Sequence, residues 1–157
     1  MATYPNTTSA SDVWSLRDVY KAEAGDEWPS IPITFTYTAA NLDSGTADNA
    51  FDGSLSTSAN VRNAGSYVEI TFNKAISGTL EVNVTNGNDS SDDDLVVTVD
   101  SVQTETFDVS SQVYYTLNTG SSFTTVRIAQ QGGTTGSIFA FRLNGTILIG
   151  TSGSGEV

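Results

Sequence analysis

From residue 31 to residue 149 the chain is written almost entirely in short runs that alternate apolar and polar side chains, broken by clusters of Gly, Asn, Asp and Ser. A period of two places successive side chains on opposite faces of a pleated strand, so runs of this kind make half-buried strands and not helices. Residues 31–38 set Ile31, Ile33, Phe35 and Tyr37 on one face; residues 67–72 do so with Val68, Ile70 and Phe72, and residues 80–84 with Leu80, Val82 and Val84. Segments 95–99, 102–107, 113–117, 123–128, 138–143 and 146–149 continue the series. Asn144-Gly145 lies between the last two, and Asn-Gly is a strong two-residue hairpin signal because both positions tolerate positive φ. The links are too short for the helical crossovers that parallel strands need, so the expected fold is an all-β, antiparallel β-sandwich over 31–150.

At 157 residues the chain can bury roughly two thirds of its unfolded surface in one core without staples. It has no cysteine, which removes disulfides, thiolate metal sites and thiol nucleophiles, and no histidine. The usual general bases and transition-metal ligands are therefore missing together, and the chain reads as a non-enzyme. A glycosidase-like pair of carboxylates is formally available among Asp43, Asp48, Asp52 and Glu69, but no spacing selects one. The net charge is −12, and the six cations, Arg17, Lys21, Arg62, Lys74, Arg127 and Arg142, are scattered. No basic stripe forms, so no nucleic acid is expected as a partner. No stretch approaches the roughly 18 apolar residues of a membrane span, and residues 1–10 lack the basic and apolar regions of a signal peptide, so neither is expected.

The ends read differently. Residues 1–30 form an arm with a short helix from Ser15, with Leu16, Val19 and Tyr20 on one face, Asp18 as a loose capping-box residue and Gly25 as the stop. So short a helix is marginal alone and needs a surface to lie on. Trp14 and Trp28 bracket it, either covering an open end of the sandwich or anchoring into a partner. Residues 151–157, rich in Gly and Ser, are expected to be a floppy tail.

Three places invite a ligand, each with a structural alternative. The acidic run 86–94 holds Asp89, Asp92, Asp93 and Asp94 and reads either as a Ca²⁺ loop or as a solvated hairpin tip; its spacing is not that of an EF-hand. Asp52-Gly53 reads as an Asx-type turn or as part of a metal site. Tyr114, Tyr115, Phe123 and Arg127 would furnish the aromatic platform and polar rim of a glycan site, although alternation turns one of the two tyrosines inward and gives Phe123 core parity.

Two resemblances add to this. The run Asn49-Ala50-Phe51-Asp52-Gly53 with Ser56-Thr57, followed by the strand at 67–72, resembles the turn and next strand of discoidin-type, galactose-binding-like sandwiches over 48–84, with a weaker echo at 139–145. That likeness implies a jelly-roll or galactose-binding-like sandwich and a structural Ca²⁺ held through backbone carbonyls, Asp52 and the Thr57 hydroxyl. The sequence departs from the pattern in having no Trp after Thr57 and no acidic residue before the strand containing Phe141-Arg142-Leu143. The phrase Val13-Trp14-Ser15-Leu16 through Tyr20, Gly25, Trp28 and Pro29, with 139–149 at the far end, resembles fibre and decoration proteins of tailed phages. This second likeness implies a virion structural protein, either a capsid decoration (cement) protein or a fibre or tail-associated one. Its docking residues would be Val13, Trp14, Leu16, Val19, Tyr20 and Trp28, set against major capsid or tail proteins at the particle surface. A homo-oligomer, most readily a trimer, goes with that role. The alternative is a carbohydrate-binding adhesion module for host-surface glycans, contacting them through Tyr114, Tyr115 and Arg127.

Overall fold

The alternating runs become strands in two layers. A computed structural model of the chain describes residues 32–86, 95–132 and 135–157. Its strands are β1 (Thr34–Ala40), β2 (Ala59–Val61), β3 (Tyr67–Ile76), β4 (Leu80–Thr85), β5 (Leu95–Val99), β6 (Val102–Phe107), β7 (Val113–Thr116), β8 (Phe123–Gln130), β9 (Gly136–Leu143), β10 (Thr146–Ile147), β11 (Ile149–Thr151) and β12 (Ser154–Glu156). One sheet has seven strands in the order β11-β12-β1-β3-β8-β5-β6, the other has β10-β9-β4-β7 with β2 added on β9. Every pairing is antiparallel.

Alternation decides what faces inward. Val68, Ile70, Phe72, Val97, Val126 and Ile128 come from the seven-stranded sheet and Leu80, Val82, Ile138 and Phe141 from the other, all buried in one core between the layers. Each such side chain contributes about 1.5–3 kcal/mol on leaving water. Phe51 follows the 3-10 turn Ala47–Ala50 and lies wholly inside. Its ring stacks on Tyr37 of β1 at 4.1 Å and on Phe141 of β9 at 5.2 Å, so one loop residue ties the two sheets together. Tyr37 reaches Asp48 of the 3-10 turn through its hydroxyl at 2.5 Å; burial, then this hydrogen bond, raises the pKa of the phenol.

The Asn144-Gly145 hairpin forms as read, with φ of 50° and 84°. The expectation of a floppy tail at 151–157 is corrected. Those residues turn back through Ser152 and Gly153, both at positive φ, and β12 pairs with β1 from Thr34↔Glu156 to Thr36↔Ser154. The glycines serve contact here: a Cβ on Gly150 would stand 2.7 Å from the Tyr37 ring, and one on Gly155 would stand 2.4 Å from Phe35. The N-terminal helix with Val13, Trp14, Leu16, Val19, Tyr20 and Trp28, and the acidic residues Asp89 to Asp94, lie outside the described residues.

Candidate functional site

On β3, Tyr67, Glu69 and Thr71 alternate with the buried Val68, Ile70 and Phe72, and on β8 Thr125 and Arg127 alternate with Val126 and Ile128. These residues therefore point outward from the seven-stranded sheet. Antiparallel register sets Glu69 opposite Arg127 and Arg127 opposite Thr98 of β5, which makes one polar row across three strands. Arg127 donates Nε to Glu69 Oε2 at 2.7 Å, and its guanidinium carbon stands 4.0 Å over the ring of Tyr67, the diagonal neighbour. The planar guanidinium is held from the side and from beneath, a preorganised hydrogen-bonding group.

Beside this pair lies a recess of about 220 Å³ lined by Glu69, Thr98, Ser101, Thr125 and Arg127. Ser101 arrives from the turn between β5 and β6, where Asp100 (φ 47°) and Ser101 (φ 72°) both adopt the left-handed conformation. For side chains other than glycine that conformation costs about 1–2 kcal/mol. The turn is clamped in it: Asp100 Oδ1 accepts the N–H groups of Thr124 (3.1 Å) and Thr125 (2.8 Å), and its own N–H donates to Thr125 O at 2.9 Å. The recess thus presents a guanidinium, a carboxylate and three hydroxyl side chains within a small space. Such a set exchanges hydrogen bonds with a polyhydroxylated molecule, donating and accepting in turn.

The expected glycan contacts do not converge. Tyr114 projects from the outer face of the five-stranded sheet, where Arg142 covers it at 3.8 Å, so it is not a bare platform. Tyr115, one residue on, faces the opposite way and stacks on Phe107 at 4.0 Å, with its hydroxyl donating to Glu105 Oε2 at 3.3 Å. Burial, and then the Glu105 charge, raises its pKa. Arg127 stands on the other sheet. β7 and β8 are consecutive in sequence but belong to different layers, so adjacency along the chain brought nothing together here. Phe123 is buried, as its parity implied.

The four carboxylates considered for catalysis are each engaged separately. Asp43 faces Arg62 at 3.6 Å, Asp48 accepts from Tyr37, Glu69 pairs with Arg127, and Asp52 closes its own turn. Asp52 accepts the Ser54 N–H on Oδ1 at 2.7 Å and the Thr57 hydroxyl on Oδ2 at 2.6 Å, with Gly53 at φ 77°. This is Asx-turn geometry, with both carboxylate oxygens turned to protein donors. Among the described residues no three acidic, His or Cys side chains gather in one cluster. Also among the described residues, no helix is long and apolar enough to cross a membrane.

Glu69, Thr98, Ser101 and Thr125 were not singled out together with Arg127 from the sequence. Parity marked Glu69 and Arg127 as outward, but they are 58 positions apart and nothing local pairs them.

No family model and no curated protein sequence matches the chain. Solved structures do resemble it. The CBM32 of AlyQ in complex with 4,5-unsaturated mannuronic acid aligns at TM-score 0.52 and 20% identity, over 68% of this chain and 92% of that one. Truncated AlyQ with CBM32 and alginate lyase domains aligns at TM-score 0.49 and 18% identity, over 67% of this chain and 30% of that one. The first likeness places the fold: an all-β sandwich of two antiparallel sheets, of the kind found in that carbohydrate-binding module.

Proposed function

We propose that this chain is a carbohydrate-binding module, without turnover of its own, that holds a neutral, hydroxyl-rich glycan on the outer face of the seven-stranded sheet. The observation that carries the reading is the recess of about 220 Å³ beside Arg127, with its paired Glu69 and its Thr and Ser rim. Arg127 and Glu69 cancel in charge at 2.7 Å while each keeps further hydrogen-bonding capacity, which suits hydroxyls better than carboxylates. The fold likeness to a module solved with a bound sugar acid supports the class of ligand, a saccharide.

The virion reading rests on docking residues outside the described ones, and no observation on the sandwich favours it over sugar binding. A particle-borne adhesin would use the same module, so the experiment bears on sugar binding whether or not the chain is carried on a particle. A glycan array probed with the purified chain should return a reproducible neutral glycan. Arg127→Ala should weaken that binding roughly ten- to hundredfold, since hydrogen bonds to a charged group contribute about 1.5–3 kcal/mol. An empty array, or a hit that Arg127→Ala leaves unchanged in a variant that melts as the parent does, overturns the proposal.

A further inference from the structure

The outer face of the five-stranded sheet repeats the arrangement just described. Arg142 of β9 stands opposite Glu81 of β4 in register and grips it in a fork, Nε to Oε2 at 2.5 Å and Nη2 to Oε1 at 2.7 Å. The same guanidinium reaches across β4 to lie 3.8 Å over the ring of Tyr114 on β7. The residue types are those of Arg127, Glu69 and Tyr67, with a glutamate straight across on the next strand and a tyrosine ring under the guanidinium; here the tyrosine comes from a third strand, whereas Tyr67 shares β3 with Glu69. Only six Lys and Arg occur in the chain, and two of them stand on the outer faces of the two sheets in this setting. Isolated ion pairs on an exposed sheet add little stability, so stability alone is a weak reason for building the same triad twice.

The surroundings also suit a saccharide. Asn83, opposite Tyr114, is held by Gln112, whose amide Nε2 donates to Asn83 Oδ1 at 2.7 Å and to Leu55 O at 3.0 Å. Leu55, 43% exposed and bonded to Gln112 through its carbonyl, puts apolar surface beside these amides. Polar groups next to small apolar surface match the two faces of a sugar ring, one carrying hydroxyls and one carrying C–H bonds.

From this repetition we infer that the five-stranded sheet carries a second saccharide-binding face, built on Arg142, Glu81, Tyr114 and Gln112. It lies back to back with the first, so that one chain bridges two glycan strands. The inference rests on the carbohydrate-binding reading above. The outer faces of two sheets packed face to face point in opposite directions, so no single sugar residue reaches both. Bridging follows, and with it avidity on a polymer: two linked sites hold a polysaccharide some 10²–10⁴-fold more tightly than one.

Affinity electrophoresis of the full chain through gels holding soluble galactan, β-glucan or mannan tests the idea, with Arg127→Ala, Arg142→Ala, Tyr114→Ala and the Arg127→Ala/Arg142→Ala double variant. On the polymer that retards the parent chain, each single variant should stay partly retarded, with the apparent Kd raised roughly a hundredfold. The double variant should run as in a blank gel, and calorimetry with the matching oligosaccharide should fall from two sugars per chain to one in each single variant. Thermal melts identify any variant that fails to fold, and Tyr114→Ala serves where Arg142→Ala does. If Arg142→Ala and Tyr114→Ala are retarded like the parent and the parent takes up one sugar, the second face is wrong while the first stands. A parent chain that no gel retards overturns both.

Discussion

At the scale of single residues the clearest handle is the Glu81 carboxyl. The fork from Arg142 holds its pKa below the usual carboxylate range, the hydrogen bond outweighing the opposing effect of burial, and Arg142 is raised in turn. A carboxyl whose pKa is lower folded than unfolded stabilises the fold fully above its unfolded pKa, and that contribution is lost as pH falls through the folded value. Urea titrations across the acid range should therefore show the parent losing stability on acidification more steeply than Glu81→Gln. Coinciding acid limbs would mean the fork does not exist in solution. Phe51 shows what a residue can do from a loop: it sits at the centre of the Tyr37–Phe51–Phe141 stack and closes the core that holds both faces in place. The turn at 49–53 delivers a phenylalanine to the core, with Asp52 bracing the turn behind it.

At the scale of elements the C-terminal hairpin is the instructive case. β11 and β12 extend the seven-stranded sheet beyond β1, and Val157 N–H still donates to Ile33 O at 2.9 Å. Gly155 lies flat on the Phe35 ring, so Gly155→Val inserts a side chain where a Cβ already stands 2.4 Å from both Phe35 and Ile149 O. Overpacking of this kind costs about 1–3 kcal/mol, which should lower the urea midpoint by an easily measured amount. An unchanged midpoint would show that the segment is the loose tail its composition resembles. The β5–β6 turn makes a similar point, since its left-handed Asp100-Ser101 pair is closed by the Val99↔Val102 pairing and braced by the bonds that Asp100 makes to β8, which bring Ser101 to the recess.

For the whole molecule, charge governs what approaches. A net charge of −12 on a chain with six cations repels polyanions, and on each face the central arginine is already neutralised by a glutamate. A uronate-rich polymer such as alginate should therefore bind more weakly than the neutral glycan at low salt. The gap should narrow as the Debye length falls from about 30 Å at 0.01 M to about 8 Å at 0.15 M. Stronger binding of the uronate polymer at low salt would remove the claim of neutral specificity.

What could be read without coordinates was the division of each strand into an inner and an outer row, because alternation is local and burial follows it: Val68 and Ile70 went in, Glu69 and Arg127 stayed out. The all-β class, the antiparallel pairing and the Asn144-Gly145 turn came from the same local rules. The short strands β2 and β12, three residues each, were too short for alternation to mark them, and glycine looked like freedom where it was close contact. Nor could any local rule say that β8 lies between β3 and β5 while β7 joins the other sheet. Sheet order is settled by the burial of both layers at once, a property of the assembled core and not of any segment, so only the tertiary structure could set Glu69 beside Arg127 and Tyr114 beneath Arg142.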